Sequence, residues 1–286
     1  MRNLAPILTV AAALILLWYG AAVALNTAWA QDKAKRADVE LSFSELVADT
    51  WSQDKPRLPA PHQVAVEIWD TTAMKKVTSK RSLVYHSWIT MSATVLGFAL
   101  GTALGFALAI GIVYNRVMDR SIMPWVIASQ TIPILAIAPM IIVVLNAVGI
   151  TGLLPKAMIS MYLSFFPVVV GMVKGLRSPS PMQLDQMRTW NAGAAQEFLS
   201  LRLPSSMPYF FTSMKIAMAA SLVGAIVGEL PTGAVAGLGA RLLAGSYYGQ
   251  TIQIWSALLM AAALAAVLVG VIGALQRVTL KRMGMA

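Results

Sequence analysis

The sequence predicts an all-α membrane protein, a polytopic bundle of about six transmembrane helices with one long cytoplasmic loop. Three observations predict it. Of the 286 residues 58% are hydrophobic and only 12% charged, about half the charged share of a soluble domain, and the mean hydropathy is +0.69. Several apolar runs reach the roughly 20 residues that a bilayer-crossing helix needs. The basic residues gather in alternate connections, as they do in cytoplasmic loops.

Six segments have the required length and apolarity: 4–27, 87–113, 122–147, 155–174, 208–229 and 253–276. The first makes residues 1–27 an N-terminal anchor helix. Ala28-Trp29-Ala30 resembles the end of a secretory leader, but the apolar run exceeds the roughly 7–15 residues of a leader core, so a retained anchor is expected. Residues 28–84 form a near-neutral, water-exposed segment with nine basic and eight acidic residues. Pro56, Pro59 and Pro61 break it, and 62–74 is expected as an amphipathic helix leading into the second span.

The second span carries Gly97, Gly101 and Gly105 on one helical face, a ridge that lets helices approach closely in lipid. The third contains Pro124, Pro133 and Pro139; each removes a backbone donor and kinks a helix. Broken helices at membrane depth line cavities, so Gln130, Thr131 and Pro133 are expected on a translocation path. Glu229 closes the fifth span. A carboxylate there is either functional and paired, which would put Glu229 on the same translocation path, or interfacial and screened by water. Lys156 and Lys215 are expected to snorkel from span ends, and Met207, Met214 and Met218 to fill the core.

Orientation follows from charge. With the N-terminus inside, the cytoplasmic pieces hold Arg2, Arg116, Arg120, Lys174, Arg177, Arg188, Arg202, Arg277, Lys281 and Arg282 against Asp119, Asp185 and Glu197. The short outer loops hold only Lys156 and Arg241. Both termini are therefore expected in the cytoplasm, with 28–84 in the periplasm. This asymmetry also accounts for the net charge of +10 without nucleic acid. There is no cysteine for a disulfide or thiolate site, and His62 and His86 are the only imidazoles, so no metal is expected. Gly237-Leu238-Gly239 lacks the strand and helix of a phosphate cradle, and no G-x-x-x-x-G-K-[ST] loop occurs. It is expected to be a periplasmic turn. No nucleophile–base pair or metal triad is present, so no catalytic residue is assigned.

The most informative stretch lies in the cytoplasmic connection 175–207, which is long for a compact bundle. It runs from Asp185 through Arg188, Thr189, Asn191 and Gly193 to Leu203-Pro204. Residues 182–190 and 194–201 are expected as two short helices broken at 191–193, since Asn and Gly tolerate the left-handed turn that ends a helix. Phe198, Leu199 and Leu201 beside Arg188, Glu197 and Arg202 make the element amphipathic, which also suits a helix resting on lipid headgroups.

This stretch resembles the cytoplasmic loop of binding-protein-dependent ABC importer permeases, whose pattern is E-A-A, three residues, G, nine residues, I-x-L-P. Asp185 takes the acidic position, Asn191 the glycine, Leu201 the isoleucine and Leu203-Pro204 the terminal pair, without a gap. Gln186 and Met187 replace the alanines. Leu58-Pro59-Ala60-Pro61, Phe165-Phe166-Pro167 and the run from Leu203 to Tyr209 are similar to the subgroup importing sulfonates, nitrate, taurine and pyrimidine precursors. Residues 224–249 are most similar to permeases for pyrimidine or riboflavin-type solutes.

The resemblance implies a permease domain over 85–278 with a basic tail, 279–286. It implies that the 175–207 loop carries a coupling helix meeting a separate ABC ATPase subunit through Asp185, Arg188, Thr189, Asn191, Gly193, Leu203 and Pro204. ATP and Mg would sit on that ATPase, and no cofactor on this chain. A periplasmic substrate-binding protein and a second permease, identical or related, complete the implied assembly. The implied solute is a pyrimidine- or riboflavin-like precursor or a sulfonate-, nitrate- or taurine-like anion. A secondary transporter or channel would instead show buried ionisable relays or inverted repeats, and a membrane enzyme would need catalytic groups; neither signature is in the sequence.

Overall fold

The computed structural model describes residues 4–231 and 236–285, and the regular structure among them is helical throughout. In chain order the helices are α1 (Leu4–Arg36), α2 (Phe43–Ser52), α3 (Pro61–Trp69), α4 (Leu83–Tyr114), α5 (Arg116–Ala128) and α6 (Ile134–Ala147). They continue as α7 (Leu153–Leu176), α8 (Pro181–Thr189), α9 (Ala194–Glu197), α10 (Leu203–Gly228), α11 (Leu238–Tyr247) and α12 (Thr251–Arg282). Five helices among the described residues are long and apolar enough to cross a membrane, and the pair α5–α6 makes a sixth if it counts as one span. The third span is thus not a kinked rod. It folds back by 102° between Thr131 and Ile134, because Pro133 has no N–H to continue the helical ladder.

The chain divides into two compact bodies, residues 1–87 with 240–261 and residues 88–239 with 262–286. In the first, α1 is about 50 Å long at 1.5 Å per residue, far more than a 30 Å hydrocarbon core requires. Its C-terminal part is a mast for the segment that follows. Asn26, fully buried, organises this attachment. Its amide donates to the carbonyls of Thr50 (3.1 Å) and Leu58 (2.8 Å), and its oxygen accepts from the N–H groups of Arg57 (2.8 Å) and Leu58 (3.2 Å). Every polar atom of that side chain is used, which is what burial demands. Trp18 Nε1 adds a bond to the Pro59 carbonyl at 3.0 Å. The Lys33 ammonium of α1, 2.9 Å from Asp49 of α2, holds that carboxyl below its ordinary range. The amphipathic stretch 62–74 appears as α3 followed by a wider turn, Asp70–Met74.

Residues 240–261, expected to belong with the spans, group with this body for identifiable reasons. Arg241, 8% exposed, pairs with Glu67 at 3.0 Å and donates to the Arg81 carbonyl at 3.2 Å. Thr251 donates to the Pro56 carbonyl at 2.5 Å, and the Trp18 and Trp255 rings lie 4.9 Å apart.

The second body is built around α7. Gly97, Gly101 and Gly105 of α4 lie against Ser160, Ser164 and the Phe165–Val168 stretch of α7, so close that a Cβ on any of them would overlap its neighbour. Gly171 and Gly175 of α7 receive Ser213 and Ser206 of α10, and Gly224 of α10 receives Ser160. Small residues on all three helices permit this approach, which in lipid replaces hydrophobic burial as the force for association. Serines then bond across the seams: Ser160 Oγ to the Ser221 carbonyl at 2.7 Å and Ser221 Oγ to the Thr94 carbonyl at 2.8 Å. The core includes Phe98, Ile112, Met172, Leu176, Phe211, Met218 and Ile272, with Met207 and Met214 packed against it.

One lysine departs from expectation. Lys156 does not snorkel: its side chain is only 14% exposed, and it turns inward to the Ala236 carbonyl (3.1 Å) and Glu229 (3.8 Å). Lys215, midway along the helix α10, is half-buried and lies against Gly273 of α12.

Candidate functional site

Helix α8 begins where Ser180 supplies the cap and Pro181 the preset first-turn backbone. Ser180 Oγ accepts from the Gln183 N–H at 3.3 Å, and Gln183 returns the bond to the Ser180 N–H at 2.9 Å. The helix stops at Asn191, whose φ is +53°. The Asn191 N–H bonds to the Arg188 carbonyl (2.9 Å) and the Ala192 N–H to the Met187 carbonyl (3.0 Å), a pair of bonds that satisfies the orphan carbonyls of a helix end and requires the left-handed residue between them. Gly193, extended at φ −70°, then opens α9.

From α9 a wider turn, Phe198–Arg202, leads without interruption into α10. The second short helix expected over 194–201 is therefore the root of the fifth span, which starts well before 208. Leu203 and Pro204 occupy the first turn of α10, where a proline loses no needed bond. Arg202 is the residue the sequence reading undervalued. It pairs with Glu197 at 2.5 Å, donates to the Leu176 carbonyl at the end of α7 at 2.8 Å, and lies 5.7 Å from the Tyr114 ring. An arginine next to the Leu-Pro pair is the only signal that could have flagged it. Together these contacts tie the end of α4, the end of α7 and the root of α10 to the loop.

Asp185 is not at a helix N-terminus. It stands in the second turn of α8 and pairs with Arg188 at 2.9 Å, with side chains 66% and 76% exposed. Thr189 donates to the Gln186 carbonyl at 2.7 Å. Asp185, Arg188, Thr189, Asn191 and Gly193 thus share one protruding helix and its turn, with Met182 and Trp190 also exposed. The bend holds a different group. Gln130 and Thr131 are exposed in the tight turn before Pro133, and the Tyr162 hydroxyl of α7 donates to the Ser129 carbonyl beside them.

Glu229 joins neither group. It is 0% exposed, so water does not screen it. Thr90 Oγ1 lies 2.9–3.0 Å from both carboxylate oxygens, the Gly239 N–H donates at 2.9 Å and Lys156 stands at 3.8 Å. The Leu238 N–H in turn donates to Thr90 Oγ1 at 2.9 Å. A Cβ on Gly237 or Gly239 would fall on the Glu229 side chain. Gly237 and the first residues of α11, Leu238 and Gly239, fold onto a buried carboxylate, so the expected turn is in part the start of a helix.

The loop is thus a protruding, capped helix between two apolar helices, rooted in the bundle by Arg202. The family model for the inner membrane component of binding-protein-dependent transport systems matches residues 101–285. The chain belongs to this family. It is the membrane-spanning permease subunit of an ABC importer. It is 28% identical over 222 residues to a probable ABC transporter permease protein of Haemophilus influenzae, covering 78% of this chain and 85% of that one. It is 32% identical over 183 residues to the formylaminopyrimidine transport permease protein of Halalkalibacterium halodurans (64% and 68% covered). It is 33% identical over 186 residues to the riboflavin transport system permease protein of Chloroflexus aurantiacus (65% of each). The family match includes the bend, the loop and Glu229 and leaves the Asn26-centred segment outside it.

Proposed function

We propose that the permease carries a planar, nitrogen-containing heterocycle of the pyrimidine-precursor or flavin type. We further propose that α8 is the coupling helix through which a separate ATPase, holding ATP and Mg, drives it. The two relatives above 30% identity are named for formylaminopyrimidine and riboflavin transport, which supports the solute class over the sulfonate- or nitrate-like anions. A periplasmic binding protein and a second permease complete the proposed assembly, with both termini in the cytoplasm. The left-handed turn at Asn191 carries the coupling proposal: it aims the exposed face of α8 away from the bundle while α9 and α10 lead straight back into it.

The test compares uptake and ATPase co-purification for three variants at matched membrane abundance. Asn191→Val strains the turn, since β-branched residues resist positive φ, and uptake is expected to be lost. Asn191→Gly meets the same backbone demand and is expected to transport normally. Asp185→Arg places repulsion beside Arg188 on the exposed face and is expected to lose the ATPase. Normal uptake by Asn191→Val with its ATPase bound would mean that the loop is a lipid-resting helix.

A further inference from the structure

Lys215 stands on α10, which with the preceding turns makes a continuous helical stretch of 35 residues, Ala194–Gly228, longer than a bilayer crossing needs, and it is half-buried. Among the described residues no carboxylate lies within ion-pair distance of it. Lysines in that position either serve a function or reach for a polar surface, and its side chain shows where it reaches. A Cβ placed on Gly273 of α12 would lie 3.6 Å from Lys215 Cε and 3.9 Å from its Nζ. Arg277, one turn further along α12, bends back to the same glycine, its Nε donating to the Gly273 carbonyl at 3.4 Å. Two cations from two different helices therefore approach the same glycine, and among the described residues no carboxylate lies within ion-pair distance of either. Ile272, beside Gly273, is buried in the cluster that also holds Met218 of α10, so the two helices are fixed and the meeting is not a chance of two free side chains.

The surroundings say what would neutralise them. Nothing lies within 4 Å of a Cβ at Gly270, and Ala219 and Ala266 are exposed, which leaves open space beside the pair on the hydrocarbon side. Toward the other end α12 closes with Lys281 and Arg282, the signature of a helix entering the cytoplasmic interface. An anion here must bring its own apolar body. Basic pockets between helices at this level are what phosphate headgroups of membrane lipids fill.

We propose that Lys215 and Arg277 form a binding site for an anionic phospholipid of the cytoplasmic leaflet, with its phosphate at Gly273 and an acyl chain beside Gly270. The site is independent of the solute and of α8.

The experiment places the purified full chain in nanodiscs of equal phosphatidylglycerol and phosphatidylcholine and quantifies the lipid retained after detergent extraction. Retained phosphatidylglycerol is expected to exceed phosphatidylcholine, and each of Lys215→Gln and Arg277→Gln to reduce the excess by about fivefold, the worth of one basic residue near an anionic surface. Arg188→Gln, on the remote loop, is expected to leave it unchanged. A phosphatidylglycerol preference unchanged in Lys215→Gln and Arg277→Gln would overturn the site. So would loss of the excess in 50 mM inorganic phosphate at constant ionic strength, which would mark a free-anion site rather than a lipid one.

Discussion

Helix α8 and the far end of α10 treat charge in opposite ways. On α8, Asp185 and Arg188 pair at 2.9 Å with both side chains mostly exposed, where such a pair contributes about 0–1 kcal/mol. At the C-terminal end of α10, Glu229 is sealed from solvent and held by Thr90, Gly239 and Lys156. Removing one partner from a buried pair costs about 3–5 kcal/mol. One region thus carries a carboxylate contact that can be exchanged cheaply and the other one that cannot. A surface that must meet and release a partner needs the first kind; a turn that must hold its shape needs the second.

The largest expected effect is at the buried end. Glu229→Ala leaves the Lys156 ammonium enclosed without its counter-charge, and thermal unfolding of the detergent-solubilised protein should show a loss of about 3–5 kcal/mol. If that variant unfolds like the parent, the contrast between the two regions collapses. Thr90→Val keeps the shape but leaves the Leu238 N–H unsatisfied, for a loss of about 1–3 kcal/mol. Gly239→Ala should cost a similar amount, about 1–3 kcal/mol by overpacking, since its Cβ would meet the Ile226 carbonyl and the Glu229 Cβ. At the turn that ends α8, Asn191→Val should lose about 1–2 kcal/mol from the left-handed backbone, so its failure in uptake would exceed its cost in stability. Asp185→Ala should be the mildest, within about 1 kcal/mol by the same unfolding measurement. A loss as large as that of Glu229→Ala would show that the loop is part of the core.

What the residues announced and what they hid divide along the same line. Features set by local backbone chemistry were legible: the left-handed demand at 191, the stop at Pro133 and the close-approach ridge of Gly97, Gly101 and Gly105. In each, a residue type states its own backbone or size requirement. The expected helix over 182–190 appears as α8, Pro181–Thr189, with Ser180 as its cap. Arg202 was missed because its partners lie at Leu176, Glu197 and Tyr114, and no spacing reveals that three helix ends converge. Lys156 was read as snorkelling and Glu229 was left open between paired and interfacial, since a charged residue near a span end looks the same alone whether it faces water or another charge.

The sequence by itself determined an all-α, multi-pass membrane protein, because apolar length is additive along the chain and needs no partner to be counted. It determined the spacing of the cytoplasmic loop and the backbone conformation at its break. Only the tertiary structure decided which charges are paired. It turned Lys156 inward, enclosed Glu229 against residues 237–239, brought Lys215 and Arg277 to one glycine, and gathered 240–261 with the N-terminal segment through Arg241 and Thr251. The physical reason is that the energy of a charge depends on where water and counter-charge are. That is a property of chain segments meeting across more than a hundred residues of sequence, as Thr90 and Glu229 do.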